Sequence, residues 1–103
     1  MLYDWDMPKM RLDLQEGFAN DNVEVAVNGK TVLRGGGITS RRMVGLALSA
    51  EVDVPDGALE ISVQVPTKNL SQTFSVEATP NLGISIQNGQ LKIITSERRF
   101  GYA

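Results

Sequence analysis

The chain has 103 residues, no cysteine and no histidine, and a formal net charge of -2 at pH 7. These absences exclude disulfides, thiolate metal sites and any mechanism that needs a histidine base or a cysteine nucleophile. We therefore expect a protein that is not an enzyme and has neither catalytic residues nor a cofactor. The mildly acidic charge gives no reason to expect nucleic acid or an anionic membrane as a partner.

The start of the chain indicates where the protein resides. Met1–Asp6 carries acids at positions where a secretory signal peptide has basic residues. The sequence also lacks the run of about 18 apolar residues that a transmembrane helix requires. We expect a cytoplasmic protein with no membrane contact.

Alternating apolar and polar residues predict short strands along the first third of the chain. Residues 1–7 alternate up to a proline, and residues 9–14 and 23–27 continue the pattern. Asn28-Gly29 is the strongest short signal for a β-hairpin. We prefer a three-residue loop there, aligning Val23 with Leu33, over a two-residue turn, because Lys30 and Arg34 then face water.

The next segment is less regular. Gly35–Gly37 predicts a flexible break, and it is no phosphate-binding loop because neither Lys-Ser/Thr nor a helix follows it. Ser40 could cap a helix over the following Arg, Met, Leu and Ala residues. We favour a strand from about Met43, since the alternation there runs on into Val54.

The most regular stretch covers residues 46–65. Two alternating apolar runs flank Pro55-Asp56-Gly57-Ala58, whose residue types are typical of a turn. We predict a hairpin that places Val52, which we expect to be buried, opposite Ile61, because that register keeps both apolar sets on one face.

Two further hairpins are predicted after this stretch. A four-residue loop at Pro66–Asn69 aligns Ile61 with Phe74. A two-residue turn at Asn88-Gly89 places Ile84 opposite Ile93.

Together these elements predict an all-β protein. We expect an antiparallel β-sandwich of about eight short strands, with a small closed β-barrel as the alternative. Residues 1–103 should form a single domain. Gly45 and Gly35–Gly37 are the natural places for the chain to change sheets.

Four acids form the first candidate site. The predicted central hairpin puts Asp53 opposite Glu60, with Glu51 on the same face and Asp56 in the turn. Clustered carboxylates suit calcium, whereas the preferred interpretation is a solvated acidic patch balanced by Lys9 or Arg11.

The second candidate site lies at the ends of the chain and in one loop. Aromatic and arginine side chains are enriched at binding interfaces because they bury a large area and keep a polar group. The candidate binding residues are Tyr3, Trp5, Arg41, Arg42, Arg98, Arg99, Phe100 and Tyr102. Phe100 and Tyr102 should be ordered and buried, because exposed rings gain nothing in a disordered end.

These features favour a non-catalytic binding or assembly module that acts through protein–protein contacts and forms a homo-oligomer. Its partner would be a second copy or another protein. The alternative is a module that binds a sugar or another small ligand, with Tyr3, Trp5 or Tyr102 as a stacking platform. No motif in the sequence chooses between them.

Overall fold

The computed structural model describes residues 8–41 and 44–102 and shows two four-stranded sheets. The strands are β1 (Lys9–Leu14), β2 (Asp21–Val27), β3 (Lys30–Ile38), β4 (Leu48–Asp53), β5 (Leu59–Val65), β6 (Leu70–Val76), β7 (Asn81–Gln87) and β8 (Gln90–Ser96). A short 3-10 helix, Pro66–Lys68, joins β5 to β6. The predicted all-β sandwich is confirmed. The strand predicted over residues 1–7 lies outside the described residues.

The first sheet has the order β4-β1-β7-β8, and the second has the order β3-β2-β5-β6. Among the described residues each sheet ends in two edge strands, so neither sheet closes into a barrel. Five of the six strand pairs in this part of the chain are antiparallel, and β1 and β7 run parallel. Parallel neighbours need a long connection, which the intervening strands of both sheets supply here.

The predicted central hairpin is wrong because β4 and β5 belong to different sheets. Val52 on β4 lies opposite Met10 of β1, and Ile61 on β5 lies opposite Val27 of β2. Residues 54–58 carry the chain from one sheet to the other. Both strands still turn their apolar side chains to one core, so the alternation is the same for a hairpin and for a crossover.

The hairpin between β2 and β3 also differs from the preferred register. Its turn has two residues, Asn28 and Gly29, with φ values of 50° and 84°. Both angles are positive, as the favoured two-residue hairpin turns require. A register shift then aligns Val25 with Leu33, so neither predicted register holds along the whole pair.

The two later hairpins are confirmed. Phe74 lies opposite Ile61 in the β5–β6 pair, and Ile93 lies opposite Ile84 in the β7–β8 pair. In both cases a short loop with the expected residue types sets the register directly.

The connection between β3 and β4 corrects two predictions. Gly35–Gly37 belongs to β3, so it is not a break, and the change of sheet follows at residues 39–47. Gly45, with a φ of 68°, lies within this crossover as expected. The next strand begins at Leu48, later than predicted, and the described residues of the crossover contain no helix. Met43 itself lies outside the described residues.

The core lies between the sheets and is formed by the inward-facing residues of all eight strands. Val52 is buried there, as predicted. Phe18, from the β1–β2 connection, belongs to the same core. On β7 both faces are covered, because Asn81, Gly83 and Ser85 on its outer face are buried as well. This double burial indicates that other parts of the chain cover the outer face of the first sheet.

Candidate functional site

A buried carboxylate lies on the outer face of the first sheet. Asp13 of β1 is 1% exposed and lies between Ser49 of β4 and Gly83 of β7 in the strand register. A Cβ at Gly83 would lie 2.6 Å from Nε2 of Gln15, so the amide end of that side chain packs directly against the glycine. An interior glycine in a strand often marks such a close approach.

Tyr102, in the segment that follows β8, also forms a hydrogen bond with this carboxylate. Its hydroxyl donates to Oδ2 of Asp13 at 2.6 Å and accepts from Nε2 of Gln15 at 3.0 Å. Ser49 donates to the other oxygen, Oδ1, which also lies 3.5 Å from Nε of Arg11. Burial first, and then the hydrogen bond to Asp13, raise the pKa of Tyr102 to about 12. The neutral hydroxyl is therefore a fixed donor at physiological pH.

The candidate residues at the C-terminal end do not form one surface. Phe100 and Tyr102 are half-buried, whereas Arg98 and Arg99 are exposed. The hydroxyl of Tyr102 is occupied by Asp13 and Gln15 within the chain. Candidates Tyr3, Trp5 and Arg42 lie outside the described residues.

Arg41 lies at the rim of a cleft at one end of the sandwich. The cleft has a volume of about 470 Å³ and is formed by the β1–β2 and β3–β4 connections. The hydroxyl of Ser40 accepts from the amide of Phe18 and donates to the carbonyl of Gln15. The serine therefore ties the two connections together, and its hydroxyl is already used.

The topology separates Glu60 from the other candidate acids. Asp53 lies opposite Lys9 and pairs with it, and Glu51 lies opposite Arg11. Glu60 belongs to the second sheet and lies opposite Ser75. The predicted pairing of Asp53 with Glu60 is therefore wrong, while the predicted balance by Lys9 is confirmed. Within residues 8–41 and 44–102 no group of three or more acidic side chains is placed to hold a metal ion.

The edge strands β6 and β8 lie beside each other on one side of the sandwich. We call this the β6/β8 side, and its apolar residues are Leu70, Phe74 and Val76 of β6 and Ile93 and Ile94 of β8. The β6 residues are half-buried, although the residues opposite them on β5, Val65, Ile61 and Leu59, are fully buried. Ile94 is 52% exposed. The apolar row of this edge is therefore incompletely covered.

Sequence reasoning missed the β6/β8 side because it could not tell edge strands from central ones. One local signal was present. The adjacent Ile93 and Ile94 interrupt the alternation of β8, so one of the two must face outward. In the structure that residue is Ile94, in register with Gly83 on the outer face of the first sheet.

The four sheet edges differ in how well they resist pairing with another strand. Natural edges are protected by charges, prolines, bulges or short length. β3 contains register shifts and three glycines, β4 carries Glu51 and Asp53, and β8 carries Lys92. β6 has the sequence LSQTFSV, without charge, proline or glycine. Among the described residues β6 pairs only with β5, so its other edge is open.

Comparisons with known proteins add a fold likeness. No family model matches the sequence, and no curated protein matches it. Among solved structures the chain is similar to iodinated CBM25 from a Bacillus halodurans amylase, with 15% identity and a TM-score of 0.44. The match covers 88% of this chain and 98% of that one. A likeness of this degree carries no argument about function.

In the part of the chain that the structure describes, no helix is long and apolar enough to cross a bilayer.

Proposed function

We propose that this chain is a non-catalytic assembly module that binds a second copy of itself through the β6/β8 side. The observation that carries the proposal is the half-buried row Leu70, Phe74 and Val76 on an open, uncharged edge strand. A partner against this row removes the remaining apolar surface from water, which stabilises association by about 25 cal/mol per Å².

The neighbouring strand supports the same surface. β8 adds Ile93, which packs against the same core as the β6 row, to the side on which β6 is open. An open strand edge is a feature of protein–protein contact sites. The hydrogen-bonding groups on the free edge of β6 would gain partners in a second chain.

Sedimentation equilibrium over a wide concentration range tests this proposal. We expect the mass to rise from that of one chain to that of two. Thr73→Lys should shift this transition to higher concentration, because a lysine on an edge strand opposes pairing. Thr73 is exposed on the outer face of β6, and its hydroxyl contacts Ser62, so the substitution leaves the core intact.

Thr31→Lys is the matched control. Thr31 is also an exposed edge threonine whose hydroxyl contacts a neighbouring strand, but it lies on β3 at the far edge of the same sheet. We expect this variant to dimerise like the unmodified chain. A mass of one chain at every concentration, or equal effects of the two substitutions, would overturn the proposal.

A second candidate function is binding of a small polar ligand such as a sugar. It is favoured by a cleft of about 290 Å³ beside Tyr102, lined by polar side chains that include Gln15, Glu16, Ser85 and Gln87. Calorimetric titration with a panel of soluble oligosaccharides tests it, and Gln87→Ala should remove any heat of binding. Absence of heat across the panel would exclude sugars as ligands of this cleft.

A further inference from the structure

The sequence of β6 is partly symmetric about Thr73. Reading outward from this residue, Ser71 mirrors Ser75 and Leu70 mirrors Val76, whereas Gln72 mirrors Phe74 and differs from it in polarity. In a homodimer with a two-fold axis each residue meets its mirror position in the other chain. The serines and the apolar ends of the strand therefore match those of an antiparallel copy.

We infer, on the basis of the assembly proposed above, that the partner is a second β6 strand paired antiparallel about a two-fold axis at Thr73. Thr73 then lies opposite Thr73 of the second copy, and Leu70 lies opposite its Val76. The second sheet of one copy and the second sheet of the other then join into one continuous sheet of eight strands.

The face of each side chain supports this register. Leu70, Phe74 and Val76 lie opposite Val65, Ile61 and Leu59 of β5, so they point to the core, whereas residues 71, 73 and 75 point outward. Directly opposed residues in an antiparallel pair share a face. With the axis at Thr73, the apolar ends of each strand cover those of the other on the core side, and the hydroxyl residues meet on the water side.

Charges at the ends of the strand fit the same arrangement. Lys68 precedes β6 and Glu77 follows it. An antiparallel copy brings the lysine end of one strand to the glutamate end of the other, so opposite charges are neighbours at both ends. Lys68 already donates to Asp21 within its own chain, but an ammonium group has three donors. No like charges oppose each other along the paired strands, because β6 itself carries none.

Single cysteine variants test the register directly, because the chain has no cysteine of its own. Opposed residues have Cβ atoms about 4.5–5.5 Å apart, close to the spacing that a disulfide needs. Under mild oxidation Thr73→Cys should give a disulfide-linked dimer as the major product. In Ser71→Cys the two thiols lie about 14 Å apart along the strands, so this variant should remain mostly uncrosslinked.

A double variant and a control complete the experiment. Ser71→Cys combined with Ser75→Cys should restore efficient cross-linking, because the thiol at position 71 of each chain then lies opposite the thiol at position 75 of the other. Thr31→Cys, an exposed threonine on the far edge strand β3, reports cross-linking by random collision. All of these side chains point away from the core, and sedimentation of each reduced variant checks that its assembly is retained.

The outcomes separate this inference from the proposed function. Preferential cross-linking of Thr73→Cys supports the two-fold register. A chain that sediments as a dimer, yet cross-links no better at Thr73→Cys than at Ser71→Cys or Thr31→Cys, overturns the register and leaves self-assembly standing. A chain of single mass at all concentrations removes the proposed function and this inference together.

Discussion

The hydroxyl of Tyr102 donates a hydrogen bond of 2.6 Å to Oδ2 of Asp13, and the two residues are 89 positions apart in the chain. This bond attaches the segment that follows β8 to β1. It also satisfies a carboxylate that is 1% exposed. A buried carboxylate without enough donors is costly, so the segment after β8 contributes to the stability of the sandwich.

Tyr102→Phe tests the strength of this bond. The variant keeps the ring but leaves one oxygen of Asp13 without its donor, and we expect a loss of about 2 kcal/mol in the free energy of unfolding. Urea denaturation measures it. A double-mutant cycle with Asp13→Asn should show coupling, and additive effects would show that the bond contributes nothing.

The same residue predicts a change in stability at alkaline pH. Burial first, and the hydrogen bond to Asp13 next, raise the pKa of Tyr102 from an ordinary value of 10.0 to about 12. A raised folded-state pKa means that this contribution is complete below pH 10.0 and is lost as the pH rises to about 12. The stability advantage over Tyr102→Phe should therefore shrink within that window, and a constant difference would contradict the shift.

Asp21 predicts a loss of stability in acid. Burial alone would raise its pKa, but hydrogen bonds from the amide of Ala19, from Lys68 and from Thr67 hold the pKa below the ordinary 3.8. A lowered folded-state pKa means that the contribution is complete above pH 3.8 and is lost as the pH falls below it. We expect Asp21→Asn to cost about 2 kcal/mol at neutral pH and to flatten the acid side of the stability profile.

Glu24→Gln is the control for Asp21→Asn. The side chain of Glu24 is 35% exposed and pairs with Arg34, whereas that of Asp21 is 3% exposed. Exposed ion pairs contribute little to stability, because water screens both charges. If the two substitutions lower the free energy of unfolding by the same amount, burial does not explain the contribution of Asp21 to stability.

Two glycines with similar backbone angles separate steric from conformational effects. Gly17 and Gly57 have φ values of 95° and 92°. A Cβ at Gly17 would lie 2.1 Å from the carbonyl oxygen of Ile86, whereas a Cβ at Gly57 would meet nothing within 4 Å. We expect Gly57→Ala to cost about 1–2 kcal/mol from its backbone conformation alone.

Gly17→Ala should cost clearly more, because the backbone of β7 must also move away from the new methyl group. Thermal denaturation of the two variants gives the comparison. Equal losses of stability in the two variants would show that the surroundings of Gly17 are less crowded than the structure indicates.

The topology of β4 and β5 is testable through their acids. Asp53 pairs with Lys9, and Glu60 lies on the other sheet. A double-mutant cycle between Asp53→Asn and Glu60→Gln should therefore give no coupling, while Asp53→Asn with Lys9→Met should give a small favourable coupling. Repulsive coupling between Asp53 and Glu60 would restore the hairpin that the sequence pattern alone predicts.

The sequence by itself determined where strands form and which side of each one is apolar. Alternation marks one face of every strand, and residues such as Asn88-Gly89 mark the turns. It also determined the register of β5–β6 and β7–β8, because their loops are short and leave little freedom. The sandwich and the burial of Val52 followed from these local patterns.

Only the tertiary structure decided which strands are neighbours across the longer connections. An alternating strand packs equally well in either sheet, so the pattern around Pro55 could not distinguish a hairpin from a crossover. The same limit hid the parallel β1–β7 pair, the contact of Tyr102 with Asp13 and the open edge of β6. Apolar periodicity encodes which face is buried, whereas neighbours are chosen by the packing of all strands on one core.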